Sequence, residues 1–170
     1  MKKFYWLFVA LISVFLVWGL FFYPVRIEKT VQVPYSMFKT GEQLINAKNL
    51  VNWLIPFTIK DTAGISKTNQ KEIVVSGNYS AEINNISMFS TVITAKYNNS
   101  KKAFSFISLP DSSGSATTTI KLQYHSTLFR KWFSKSRLEK NAEESLENLK
   151  DYMTDTRRFY GYEIKIVPVE

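Results

Sequence analysis

The chain contains no cysteine and a single histidine, His125. Without thiols it has neither disulfides nor thiol chemistry, and one imidazole cannot assemble the common zinc arrangements. Its carboxylates lack the spacing of a calcium loop, and a sequence with six glycines offers no Gly-rich phosphate loop. No nucleophile triad is supported either, because abundant Ser and Thr on strands are what exposed sheet faces use. No cofactor is expected. Internal repeats and long low-complexity runs are missing too.

The most telling absence is of charge. From Phe4 to Tyr23 the chain runs 20 residues, FYWLFVALISVFLVWGLFFY, without an ionisable acid or base of the Asp, Glu, Lys or Arg type. At about 1.5 Å per residue such a helix is about 30 Å long, the thickness of a bilayer's hydrocarbon core. Tyr5 and Trp6 at one end and Trp18 and Tyr23 at the other suit the two interfaces. Lys2, Lys3 and the terminal amine place the N-terminus in the cytoplasm and the rest on the extracytoplasmic side, although Arg26 and Lys29 narrow the margin. Val17-Trp18-Gly19 is a poor processing site, and the apolar run continues past it, so a retained single-pass anchor is expected rather than a cleaved signal peptide.

Beyond the anchor, Pro24 to Glu170 is long enough for one core. The whole chain carries a net charge of +8, and dispersed Lys and Arg beside a membrane suit anionic headgroups better than nucleic acid, which is not expected as a partner. Val25, Ile27, Val31 and Val33 alternate with Arg26, Glu28, Thr30 and Gln32, a half-buried strand stopped by Pro34. Ser36 caps a helix running towards Leu44 and Ile45, and a short apolar helix, Leu50 to Trp53, ends before Pro56. Strands are expected near Phe57 to Asp61, Glu72 to Ser76, Tyr79 to Asn84, Ser87 to Tyr97, Lys102 to Leu109 and Ser115 to Tyr124. Their turns fall at Gly77-Asn78, Asn84-Asn85, Asn98-Asn99 and Asp111 to Gly114, giving an antiparallel meander.

After Tyr124 the period becomes helical. Leu138, Ala142, Leu146, Leu149 and Tyr152 or Met153 form one stripe, with Glu139, Lys140, Glu143, Glu144, Glu147, Lys150 and Asp151 opposite as a solvated face. Ser136 and Glu139 have capping-box spacing, which starts the helix near Arg137. A single apolar stripe needs one sheet face as its partner, so the class is α+β.

This order resembles the START-like, or SRPBCC, superfamily, often labelled polyketide cyclase or dehydrase. The resembling stretches are Ile27 to Pro34 (IEKTVQVP), Leu50 to Phe57 (LVNWLIPF) and Ser145 to Tyr152 (SLENLKDY), the last similar to a Gly-Leu-x-x-Leu-Lys run with Ser145 in place of the glycine. The resemblance implies a helix-grip fold, an antiparallel sheet wrapped around the long C-terminal helix, here preceded by one transmembrane helix. It also implies membrane-anchored bacterial relatives, and with the anchor read from the apolar run it divides the chain into residues 1–24 as tail and anchor, 25–155 as the domain, and 156–170 as a tail. That tail would hold a short strand, Tyr162 to Val167, similar to the junction that in related proteins leads to a GyrI-like effector-binding domain.

The same resemblance implies an apolar cavity between helix and sheet, with Trp53, Phe57, Phe89, Phe104, Phe106, Tyr124, Leu146 and Leu149 as its ligand-binding wall. The pattern alone does not separate such a wall from a filled core. The leading expectation is a non-catalytic domain that binds a hydrophobic small molecule or lipid. A cyclase or dehydrase would use His125 or Tyr124 with a buried carboxylate, although His125 reads more simply as a rim histidine. A regulatory or protein-interaction module, its protein partner unknown, is the third reading. Leu128 to Arg137 (LFRKWFSKSR) interleaves rings and cations, as a docking linker or a membrane-surface segment does.

Overall fold

The computed structural model describes residues 2–55, 65–68, 72–75, 79–87, 89–110 and 117–160. Helix α1 (Lys2–Phe22) leads through one residue, Tyr23, into strand β1 (Pro24–Val33). Helices α2 (Met37–Ile45) and α3 (Ala47–Leu50) follow. Strands β2 (Ile65–Thr68), β3 (Glu72–Val75), β4 (Tyr79–Ser87), β5 (Ser90–Tyr97), β6 (Ser100–Pro110) and β7 (Thr118–Thr127) come next, then α4 (Leu128–Trp132), α5 (Arg137–Thr154) and α6 (Thr156–Tyr160). The sheet order is β1-β7-β6-β5-β4-β3-β2 with every pairing antiparallel. Strands β2 to β7 thus form the meander, and β1 returns to pair with β7 from Pro24 opposite Thr127 to Val33 opposite Thr118.

Alternation decides which face is dry. Ile120, Leu122, Tyr124 and Ser126 of β7 are buried, as are Phe104, Phe106 and Ser108 of β6, with the residues between them at least partly exposed. Helix α5 packs on this face against β1 and β5, and Leu138, Ala142, Leu146, Leu149, Tyr152 and Met153 are all buried there. The apolar stripe read from the sequence is the seam of the fold.

Several expectations change. Asn84-Asn85 is no turn: β4 runs through it with a register shift between Ile83 and Asn85, a bulge that absorbs the extra residue, and the hairpin closes between Ser87 and Ser90. Strand β5 accordingly starts at Ser90 rather than Ser87, and β7 extends three residues beyond Tyr124 because β1 offers partners as far as Thr127. The short helix lies at Ala47–Leu50, earlier than expected, because the Asn46 side chain accepts from the Lys48 N–H and starts it there. Strand β2 was not expected at all. Asn98-Asn99 is a turn, with Asn98 at φ 50°, the left-handed region that asparagine tolerates. The start of the tail is helical: α6 folds back so that Phe159 packs on Tyr35 and Tyr152, with ring centroids 4.9 and 5.6 Å away. The expected strands at Phe57 to Asp61 and Tyr162 to Val167, the turns at Gly77-Asn78 and Asp111 to Gly114, and Phe57 itself lie outside the described residues.

Candidate functional site

The site implied by the fold lies between α5 and the sheet. Trp53 enters it from the turn after α3, fully buried, its ring edge-on to Phe106 at 5.5 Å. Its Nε1–H donates to the Gln43 carbonyl at 3.3 Å, and its own carbonyl accepts from Asn148 of α5 at 2.8 Å. Two residues on, the Ile55 N–H donates to Ser145 Oγ at 2.9 Å. Ser145 therefore has a task that glycine could not perform. It ties the connection after α3 to the closing helix while back-bonding to the Asn141 carbonyl.

Of the expected wall, Trp53, Phe104, Phe106, Tyr124, Leu146 and Leu149 are brought together in one buried cluster. Phe89 is not among them: in the turn between β4 and β5 it is 45% exposed, because a turn residue follows no strand alternation. The space left within the wall, bounded by Leu54, Ile55, Tyr79, Ile93, Phe104, Phe106, Leu138 and Ala142 among others, is about 10 Å³. That is room for about one water molecule. Among the described residues this wall is packed. A broad depression of about 490 Å³ lies outside the grip, lined by Thr30, Val31, Gln32, Thr119, Glu147 and Lys150.

The polar chemistry sits at the start of α5, and the helical period misplaced it. Glu139, expected in solvent, is fully buried. Its Oε2 accepts from the Ser136 N–H at 2.8 Å while Ser136 Oγ accepts from the Glu139 N–H at 3.3 Å, the reciprocal capping box. That hold turns the carboxylate back towards the helix start, where β6 and β7 cover it. There its Oε1 accepts from Ser126 Oγ at 2.7 Å and pairs with Lys102. Burial opposes ionisation, but Lys102, Ser126 and the Ser136 N–H outweigh it and hold the carboxyl below its ordinary range. The Ser136/Glu139 spacing was legible; that the same glutamate would meet a lysine 37 positions earlier was not.

Glu143 also departs from the expected wet face. It accepts from Tyr124 Oη at 2.6 Å and pairs with Lys135. Burial again opposes its ionisation, and Lys135 and Tyr124 bring its pKa below the usual value. Burial and then the Glu143 carboxylate push the Tyr124 phenol far up, so it stays a donor. His125 points the other way along β7 and is exposed. Tyr124 and a carboxylate are therefore joined, but to each other and to lysine, and His125 is on the opposite face. Among the described residues no group of three His, Asp or Glu is gathered to hold a metal.

No family model matches the chain, and no curated protein matches it. Solved structures do. CalU16 from Micromonospora echinospora aligns with 75% of the chain at 13% identity and a TM-score of 0.52. DynU16, from the dynemicin biosynthetic locus, aligns with 76% at 11% identity and a TM-score of 0.53. The di-domain ARO/CYC BexL from the BE-7585A biosynthetic pathway aligns with 78% at 11% identity and a TM-score of 0.53. The chain spans 65% of the length of CalU16 and 47% of each of the other two. These neighbours share the architecture, and with its antiparallel sheet and long closing helix the chain has the helix-grip fold.

Proposed function

We propose that the chain is a single-pass membrane protein that holds its helix-grip domain at the bilayer surface, where the domain binds a hydrophobic small molecule or lipid without chemically changing it. One observation carries the anchoring. Phe4–Phe22 is long and apolar enough to cross a membrane, and none of its residues is buried against the rest of the chain. Fifteen large apolar side chains between Phe4 and Tyr23 are exposed, which in water forgoes roughly 20 kcal/mol or more of burial.

For the binding role, support comes from the lining between α5 and the sheet. The small void there is lined by apolar groups except for the Tyr79 hydroxyl, which donates to the Ile55 carbonyl at 3.4 Å, and neither the Tyr124–Glu143 nor the Lys102–Glu139 pair is part of that lining. A ligand enters this space only by displacing side chains. The void of about 10 Å³ favours a second reading, a domain that acts through its surface. Purifying the full chain from membranes and identifying extracted lipids by mass spectrometry separates the two. A stoichiometric, exchangeable apolar molecule supports the first, and its absence leaves the second. Release of the chain from membranes by alkaline carbonate would remove the anchor from both.

A further inference from the structure

The end of the sheet nearest the anchor carries a built cationic surface. Strand β1 leaves α1 at Pro24, which pairs with Thr127, the last residue of β7. Because β6 runs antiparallel to β7 and to β5, the β5–β6 turn at Tyr97 to Ser100 lies at this same end. Helix α4 starts here at Leu128, and its Phe129 ring stacks on Phe21 of the apolar helix with centroids 4.6 Å apart. The segment from Leu128 to Arg137 is thus fixed to the point where α1 meets the domain. Trp132 and Phe133, beside that contact, are 64% and 69% exposed.

Between the β5–β6 turn, α4 and the start of α5 lies a cleft of about 210 Å³, lined by Tyr97, Ser100, Lys101, Lys102, Arg130, Ser136, Arg137 and Leu138. Four of these are cations and none is an acid. Lys102 is committed to Glu139. Arg137 is set over the Tyr97 ring at 4.6 Å and donates to its hydroxyl at 2.8 Å, which fixes the guanidinium and leaves further N–H donors free. Among the described residues, Lys101, Arg130 and Arg137 have no carboxylate partner.

Resting on the anchored reading, we infer that this cleft takes the phosphate of an anionic phospholipid in the leaflet that α1 enters. Trp132 and Phe133 then lie at the acyl boundary, and the domain docks against the membrane instead of swinging on its tether. Charge complementarity and the direct stacking of α4 on the spanning helix select a bilayer as the occupant. A cation near an anionic surface contributes roughly five-fold in affinity.

The test reconstitutes the full chain in nanodiscs of phosphatidylcholine alone, of phosphatidylcholine mixed with phosphatidylglycerol, and of phosphatidylcholine with inorganic phosphate in solution. Native mass spectrometry reads retained phosphatidylglycerol, and hydrogen exchange reads residues 97–102 and 128–137. The expected result is phosphatidylglycerol enrichment that falls about five-fold for each of Lys101→Gln, Arg130→Gln and Arg137→Gln. Both segments should be protected in the mixed discs only. Equal protection in phosphatidylcholine, unchanged enrichment in the triple variant, or full protection by free phosphate overturns the inference. Should Arg137→Gln lower thermal stability, the other two single variants carry the test. A chain that stays inserted but ignores lipid charge refutes only the docking; a chain that leaves the membrane refutes the anchor as well.

Discussion

Replacing Glu139 by alanine tests the logic of the whole grip. The carboxylate is completely buried, takes hydrogen bonds from Ser126 and the Ser136 N–H, and neutralises Lys102, whose side chain is only 17% exposed. Deleting one partner of a buried pair costs roughly 3–5 kcal/mol, mostly because the other charge is left behind. Here Lys102 retains some access to water, so the lower end, ~3 kcal/mol, is expected. For a domain of this size ~1 kcal/mol moves the midpoint by about 2–4 °C, so the transition should fall by about 6–12 °C in a thermal melt of the full chain in detergent. The double variant Glu139→Leu with Lys102→Met removes both charges, and should recover a large part of that loss. If the single variant costs under ~1 kcal/mol, or the double costs the sum of both singles, the pair does not organise the start of α5 as argued.

The same glutamate sets an acid limit. Its folded pKa lies below the unfolded value of 4.5, so the unfolded chain binds more protons in that window and stability rises with pH there. Stabilisation is complete above 4.5 and is lost as pH falls through the folded pKa, and Glu139→Gln should flatten that part of a stability–pH curve. Ser145→Ala leaves the half-buried Ile55 N–H without its acceptor and should cost roughly 1 kcal/mol by denaturant unfolding, with faster amide exchange at Ile55. Leu149→Ala, at a fully buried position, should cost roughly 2–5 kcal/mol. Phe89→Ala, at a half-exposed turn, should stay within about 0.5 kcal/mol. Equal effects at these two positions would contradict the division between wall and rim.

Patterns that depend on neighbours a few residues away were legible in the sequence. The uncharged run from Phe4 to Tyr23, the strand alternation of β1 and β7, the capping box at Ser136 and the stripe from Leu138 to Met153 all follow from local period, and the stripe demanded a sheet to cover it. Together these determine an α+β domain behind an apolar helix. What lay beyond local period was decided in three dimensions. Glu139 reads as a surface residue by helical angle, yet its own cap curls it under β6 and β7 towards Lys102. Asn84-Asn85 reads as a turn, yet the pairing of β4 with β5 on both sides turns it into a bulge. Most of all, whether Phe104, Phe106 and Trp53 wall a cavity or fill a core depends on how closely α5 approaches the sheet. The Lys102–Glu139 pair holds the start of α5 to β6, and Asn148 and Ser145 hold the connection after α3 to the same helix, contacts that no stretch of sequence read on its own contains.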